Sequence, residues 1–149
     1  MQKTTKDYGF VSIQLILFIL FAVTPSITQI ILPNWSSILG LIVTALGLII
    51  VLFAILQLSD ALSPFPSPKQ GKQLRTNGLY RFSRHPIYSG ILLFCIGWTI
   101  YSGSFSRLLL TLALYALFYF KSNYEEQKLI EVYGGSYLEY RETTARFFF

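Results

Sequence analysis

The sequence predicts an all-α integral membrane protein, with about four transmembrane helices in two hairpins followed by a C-terminal amphipathic helix. Three observations predict it. The 149 residues are 53% hydrophobic and only 13% charged, about half the charged share of a typical soluble domain. No Asp, Glu, Lys or Arg occurs from Tyr8 to Ser59, and only Arg107 occurs from Ile87 to Phe120. Uncharged apolar runs longer than about 18 residues read as membrane spans. Too few charges remain to coat a water-facing surface, so a soluble globular domain is excluded.

The chain reads as a single membrane domain over 1–149, in three parts: an N-terminal helical hairpin (8–58), a basic, proline-rich cytoplasmic segment (59–86), and a second hairpin with the C-terminal helix (87–149). The first run is too long for one helix and is interrupted at Pro33-Asn34. It divides into a helix over about Tyr8–Leu32, kinked at Pro25 by the missing backbone donor, and a second over about Trp35–Gln57. Trp35 at the turn suits a membrane interface. The run exceeds a signal peptide in length and no small-residue cleavage site follows it, so cleavage is not expected. Gly40, Thr44 and Gly47 share one face of the second helix and invite close helix packing.

Four of the six prolines and five basic residues fall in 60–86, which places that stretch in water or among headgroups. The second hairpin, Ile87–Tyr101 and Phe105–Phe120, turns at Ser102-Gly103-Ser104, and its arms are short for a crossing of roughly 30 Å. From Lys121 the tail is amphipathic, with Glu125, Glu126, Lys128 and Glu131 assigned among its wet positions. Gly134-Gly135 should end that helix. A short segment, Tyr137–Glu142, precedes Arg146-Phe147-Phe148-Phe149, which has the composition of an interfacial anchor.

Four crossings put eleven of the twelve basic residues on one side and Arg107 near the other. The positive-inside rule then makes both termini and the middle segment cytoplasmic. The same rule accounts for the net charge of +5 without a nucleic-acid partner. The single cysteine, Cys95, excludes an internal disulfide and a cysteine-rich metal site, and no metal is expected. The compact chain suggests a prokaryotic cell membrane.

Two clusters carry potential chemistry. The first runs from Asn77 to Gly90 and includes Tyr80, Arg84, the only histidine His85, Pro86 in a helix first turn, and Tyr88. The second is Glu125-Glu126, just past the fourth apolar run. A hairpin that leaves and returns brings the two to one membrane face. Each has an ordinary reading alone: a His-Pro helix start, a basic segment on anionic lipid, a solvated acidic pair. Their order in one chain carries more information. Gly90 and Gly97, on one face, leave room for a close helix or a ligand, with the helix the commoner use.

The combination of Gly78-Leu79-Tyr80, Arg84-His85-Pro86-Ile87-Tyr88 with Gly90, an apolar hairpin, Glu125-Glu126, and Tyr133-Gly134 with Tyr137 and Tyr140 resembles the isoprenylcysteine carboxyl methyltransferases and the related phospholipid methyltransferases. The resemblance spans about Lys72 to Phe147. It implies S-adenosyl-L-methionine as methyl donor, bound at the cytoplasmic face. By that analogy His85, Pro86, Ile87 and Tyr88 lie on the cofactor with Tyr80 beside it. Lys72, Gln73, Leu74 and Arg75 occupy a cofactor-contacting strip, and Glu125 supplies the cofactor-binding carboxylate with Glu126 completing the pair. Lys121 stands where the family has a substrate-contacting arginine, and Lys72 where it has a histidine.

Methyl transfer from a sulfonium is an in-line displacement, so a protein chiefly aligns reactants and excludes water. A zwitterionic donor needs cationic or N–H contacts, available from Arg84, His85 and the first-turn amides, and acceptors, available from Glu125 and Tyr80. The acceptor is expected to be lipidic or hydrophobic (a prenylcysteine-like carboxylate, a phenolic lipid, a lipid amine or a thiol), entering from the bilayer past Ile87, Ile91 and Phe94. Two competing readings are an NADPH-dependent sterol-type reductase, which shares an Arg-His-Pro-x-Tyr run but lacks the Glu pair, and a non-enzymatic membrane scaffold. The strand–Gly-turn–helix unit of soluble dinucleotide-binding domains is absent from the sequence.

Overall fold

The structure is a computed structural model that describes residues 4–26, 29–58 and 73–148. Among these residues five α-helices follow in order: α1 (Thr5–Val23), α2 (Trp35–Leu58), α3 (Pro86–Ser102), α4 (Phe105–Tyr133) and α5 (Gly135–Thr143), with a 3-10 turn at Gly78–Arg81 ahead of α3. No strand forms among the described residues, only isolated bridges at Gln29–Ser104 and Ser83–Ala145. The proline-rich stretch expected to carry Lys69 and Lys72 lies outside the described residues, apart from its last part.

α1 and α2 are long and apolar enough to cross a membrane, and α3 is a shorter apolar helix. Their outward faces carry large bare side chains, among them Ile13, Ile16 and Ile19 on α1 and Ile38, Ile42, Phe53 and Leu56 on α2. Apolar surface on that scale does not suit water; it suits lipid. The chain is an all-α membrane protein.

α1 ends nine residues before the Leu32 boundary read from hydropathy. Pro25 stops the helix instead of kinking it: Thr24, the residue before the proline, is extended at φ −66° and ψ 121°, because the proline ring disfavours the helical conformation one residue earlier. The pairing also differs from a closed first hairpin. α2 packs along α3, and α1 packs on α4. α4 runs unbroken from Phe105 to Tyr133, so the expected separate amphipathic tail is its continuation. At about 1.5 Å per residue it is roughly 43 Å long, more than a hydrocarbon core of ~30 Å.

Small residues explain the α2–α3 seam. α2 buries only Ser36, Gly40, Thr44, Gly47 and Ala54, and the two backbones come into direct contact. A Cβ on Gly47 would lie 2.4 Å from the Phe94 amide nitrogen, and one on Gly97 would lie 2.4 Å from that of Thr44. Gly90 fits against the Gly47 carbonyl in the same way, at 2.9 Å. Helix packing, then, is what Gly90 and Gly97 serve. Phe21, Leu92, Cys95, Leu114, Phe118 and Phe147 form the larger-residue core between α1, α3 and α4.

Each end of the bundle is tied by polar contacts. At one end Ile30 N–H donates to Gly103 O at 2.7 Å, and Arg107 reaches across to the Ser26 hydroxyl and the Thr24 carbonyl, both at 3.2 Å. At the other end Lys128 Nζ pairs with both oxygens of the fully buried Asp7, at 2.7 and 3.0 Å. Lys121 Nζ donates to Gln14 Oε1 at 2.7 Å. Lys128 and Glu126 are therefore buried, against the expectation that they would be wet. A hydrophobic-periodicity reading of α4 alone has no knowledge of Asp7.

The seam gives a direct expectation. Gly97→Leu forces side-chain atoms into the α2 backbone and should cost at least ~1–3 kcal/mol of stability, read as a lower melting temperature in detergent. The same change at the exposed Ala113 should leave the melt unchanged.

Candidate active site

The site is assembled at the Asp7–Lys128 end of the bundle by four segments. The 3-10 turn at Gly78–Arg81 is held on α2 through Leu79 N–H, which donates to Gln57 Oε1 at 2.9 Å. Gly78 has φ +62° with the Gln57 amide packed against it, a conformation that glycine adopts without strain. Pro86 then starts α3 with His85 as the N-cap, in keeping with proline's preformed φ at the first helical position. The extension of α4 brings Glu125 and Glu126. The fourth segment is the chain after α5: Arg84 N–H donates to Ala145 O at 2.8 Å and His85 N–H to Arg146 O at 3.1 Å, while Ser83 Oγ donates to Arg146 O at 2.8 Å.

Glu126 is the hub. Its carboxylate receives Arg84 Nε at 3.0 Å, His85 Nε2 at 3.2 Å and Arg146 Nε at 3.3 Å. Arg84 also donates to the carbonyls of Arg141, at 3.0 Å, and Thr144, so its planar fork clamps the end of α5. Glu125 lies nearer the surface, accepting from Tyr88 Oη at 2.6 Å and facing His85 Nδ1 at 3.4 Å. His85 stacks on Tyr88, and Tyr88 stacks on Phe118 at 4.5 Å between centroids. Tyr140 donates to the Tyr80 carbonyl.

Charge states follow from this geometry. Burial works against an ionised Glu126, but the hydrogen bonds and charges of His85 and Arg84 outweigh it and bring the pKa down to about 2. Burial likewise opposes a charged His85, yet Glu125 and Glu126 raise its pKa above the ordinary 6.5. The site is thus a mixed-charge pocket floor in which the two carboxylates favour the protonated form of His85.

The sequence-expected residues divide cleanly. Tyr80, His85, Pro86, Tyr88, Glu125 and Glu126 come together, with Ile87 half-buried beside them. Gln73 and Arg75 are exposed and Leu74 half-buried on the non-helical stretch ahead of Gly78; Lys72 lies outside the described residues. Lys121 is buried, 5.3 Å from the Tyr88 ring centroid. Ile91 packs against the central core.

Arg146 and Phe147, which have the composition of an interfacial anchor, pack into the cluster instead. Arg146 ligates Glu126 and lies over the Tyr119 ring, and Phe147 is 5% exposed, against His85 and Tyr115. Asp7 and Gln14 were also missed; the last carboxylate before an uncharged run was the available signal. An open groove of about 550 Å³ runs beside the cluster, lined by Arg84, Tyr115, Tyr119, Ala145, Arg146, Phe147 and Phe148. The site offers a zwitterionic cofactor the Glu125 carboxylate as acceptor, flat aromatic faces, and the positive charge of Arg84, whose Nε and Nη1 donors are engaged within the cluster.

A model of the phospholipid methyltransferase family matches residues 35–136. The chain is 34% identical over 92 residues to a protein-S-isoprenylcysteine O-methyltransferase of Schizosaccharomyces pombe, covering 60% of this chain and 39% of that protein. It is 31% identical over 114 residues to protein-S-isoprenylcysteine O-methyltransferase A of Arabidopsis thaliana, covering 74% of this chain and 58% of that one. The match thus spans 39% and 58% of the length of these two relatives. A solved eukaryotic intramembrane Ras methyltransferase, an isoprenylcysteine carboxyl methyltransferase, shares the fold with a TM-score of 0.70 at 24% identity, over 98% of this chain and 53% of that one. These yeast and plant relatives lend no support to a prokaryotic membrane.

The charge pattern fixes a pH dependence. Ionised Glu126 stabilises the fold fully above about 4.5, its ordinary value, and that contribution is lost as pH falls toward 2. Protonated His85 stabilises it fully below 6.5, and that contribution is lost as pH rises through its raised pKa. This end of the bundle is therefore most stable between those two ordinary values. In melts across pH, His85→Asn should remove the alkaline decline and keep the acid one. Glu126→Ala strands Arg84 and His85 in a buried site and should cost about 3–5 kcal/mol, more than Glu125→Ala.

Proposed function

Since the chain belongs to the phospholipid methyltransferase family, we propose that it is an integral membrane methyltransferase that uses S-adenosyl-L-methionine to methylate a prenylcysteine-like carboxylate. The observation that carries this reading is the meeting of His85 and Tyr88 at the start of α3 with Glu125 and Glu126 on α4, at one end of the bundle. The curated relatives named above support the choice of acceptor.

When bound, the cofactor supplies an electrophilic methyl group. The chain's own part is alignment and dehydration. Glu125, the more exposed of the two carboxylates, accepts hydrogen bonds from the donor's ammonium or ribose, with Tyr88 orienting it. Protonated His85 and Arg84 set a positive potential for carboxylates. Tyr88, Phe118 and Phe147 keep water from the reacting end. Tyr80 would border the cofactor, Gln73, Leu74 and Arg75 would flank it from the water side, and Lys121 would serve the acceptor side. The aromatic groove along Tyr115 and Tyr119 is the acceptor's proposed approach from lipid.

Both termini and the segment before α3 are assigned to the cytosol, with four crossings. The tie between Asp7 and Lys128 at one end and between Arg107 and the 24–26 loop at the other supports this division. The native Cys95 is buried and gives little background, so cysteine labelling from outside intact cells should reach Asn34→Cys but not Ser136→Cys. The reverse pattern would refute the topology.

Activity is tested with detergent-purified protein, radiolabelled S-adenosyl-L-methionine and an N-acylated S-farnesylcysteine. The expected product is a base-labile methyl ester. His85→Ala and Glu125→Ala should each weaken cofactor binding by roughly ten- to a hundredfold, the loss of one charged hydrogen bond. Binding of NADPH in place of S-adenosyl-L-methionine would overturn the reading.

A further inference from the structure

Tyr137 sits in the first turn of α5 with 1% of its surface exposed. Its hydroxyl is buried and has no hydrogen-bond partner among the described residues. Three residues on, Tyr140 turns the same way and donates to the Tyr80 carbonyl; the two rings meet edge to face at 6.0 Å. α5 therefore buries two phenols toward the cluster, one satisfied by the fold and one not. Glu126, Arg84, Tyr140 and Glu125 are the groups whose charges act on Tyr137, which locates it at the cofactor end of the bundle.

A buried hydroxyl without a partner destabilises a fold, and native structures carry few. A phenylalanine would fill the same space without that cost, so packing alone gives no reason for the oxygen. We propose that the Tyr137 hydroxyl is a binding contact for the methyl donor, donating its hydrogen bond to a polar atom of that ligand. The inference rests on the methyltransferase reading and adds to it a residue from α5, a helix that otherwise only covers the site. Burial raises the phenol's pKa further above its ordinary value of 10.0, so it stays a neutral donor throughout the working pH range.

The test uses the full chain in detergent with S-adenosylhomocysteine as the probe, read by calorimetry, together with melts of the ligand-free protein. Tyr137→Phe should leave the ligand-free melting temperature unchanged or higher and weaken binding by about tenfold, the value of one hydrogen bond. Tyr140→Phe is the contrast: its hydroxyl is used within the fold, so its loss should lower the ligand-free melting temperature. Unchanged affinity in Tyr137→Phe, or a fall in its ligand-free melting temperature like that of Tyr140→Phe, overturns the inference while the methyltransferase reading stands. Failure of the wild-type chain to bind the probe overturns both.

Discussion

One carboxylate, that of Glu126, holds together parts of the chain that hydrophobic packing alone would leave apart. Arg84 and His85 approach it from the turn before α3, and Arg146 approaches it from beyond α5. Three cations around one buried anion are costly to dehydrate unless every proton and lone pair finds a partner. Here Arg84 Nη1 reaches backbone carbonyls at the end of α5, and the second carboxylate, Glu125, faces the other ring nitrogen of His85. Once Arg146 is fixed, the chain next to it has no choice: Phe147 enters the core, and Phe148 N–H reaches Ser89 Oγ at 3.2 Å. The aromatic stack of His85, Tyr88 and Phe118 is framed by this arrangement.

The same logic separates the two ends of the bundle. Asp7, Gln14, Lys121 and Lys128 join α1 to α4 on the site side, so α1 helps to hold the α4 extension that presents the two glutamates. On the far side Arg107 does the equivalent work with backbone and hydroxyl oxygens. Among the described residues the ion pairs gather at the candidate-site end of the bundle.

Much of this was legible in the residues. Uncharged runs revealed the helices, the spacing of Gly40, Thr44 and Gly47 revealed a packing face, and a hairpin between His85 and Glu125 was enough to bring them together. What hydropathy could not reveal was partnership at long range. Lys128 and Glu126 fall at positions that look wet on a helical wheel, and only Asp7, Arg84 and Arg146, far off in sequence, make their burial affordable. Arg146-Phe147-Phe148 has the composition of an anchor, and composition does not disclose that the preceding backbone pairs with Ser83 to His85. Pro25 was visible, but whether a proline bends or ends a helix depends on whether neighbours hold the next turn in place.

The α2–α3 seam has a mechanical meaning. Helices packed through large side chains can shear by small slides past one another. Where Gly47 meets Phe94 N and Gly97 meets Thr44 N, backbone lies against backbone and leaves little to adjust. The α2–α3 pair is therefore the stiff part of the bundle by its packing, and the α1–α4 contact, made in part through the long side chains of Lys121 and Lys128, is the adjustable part.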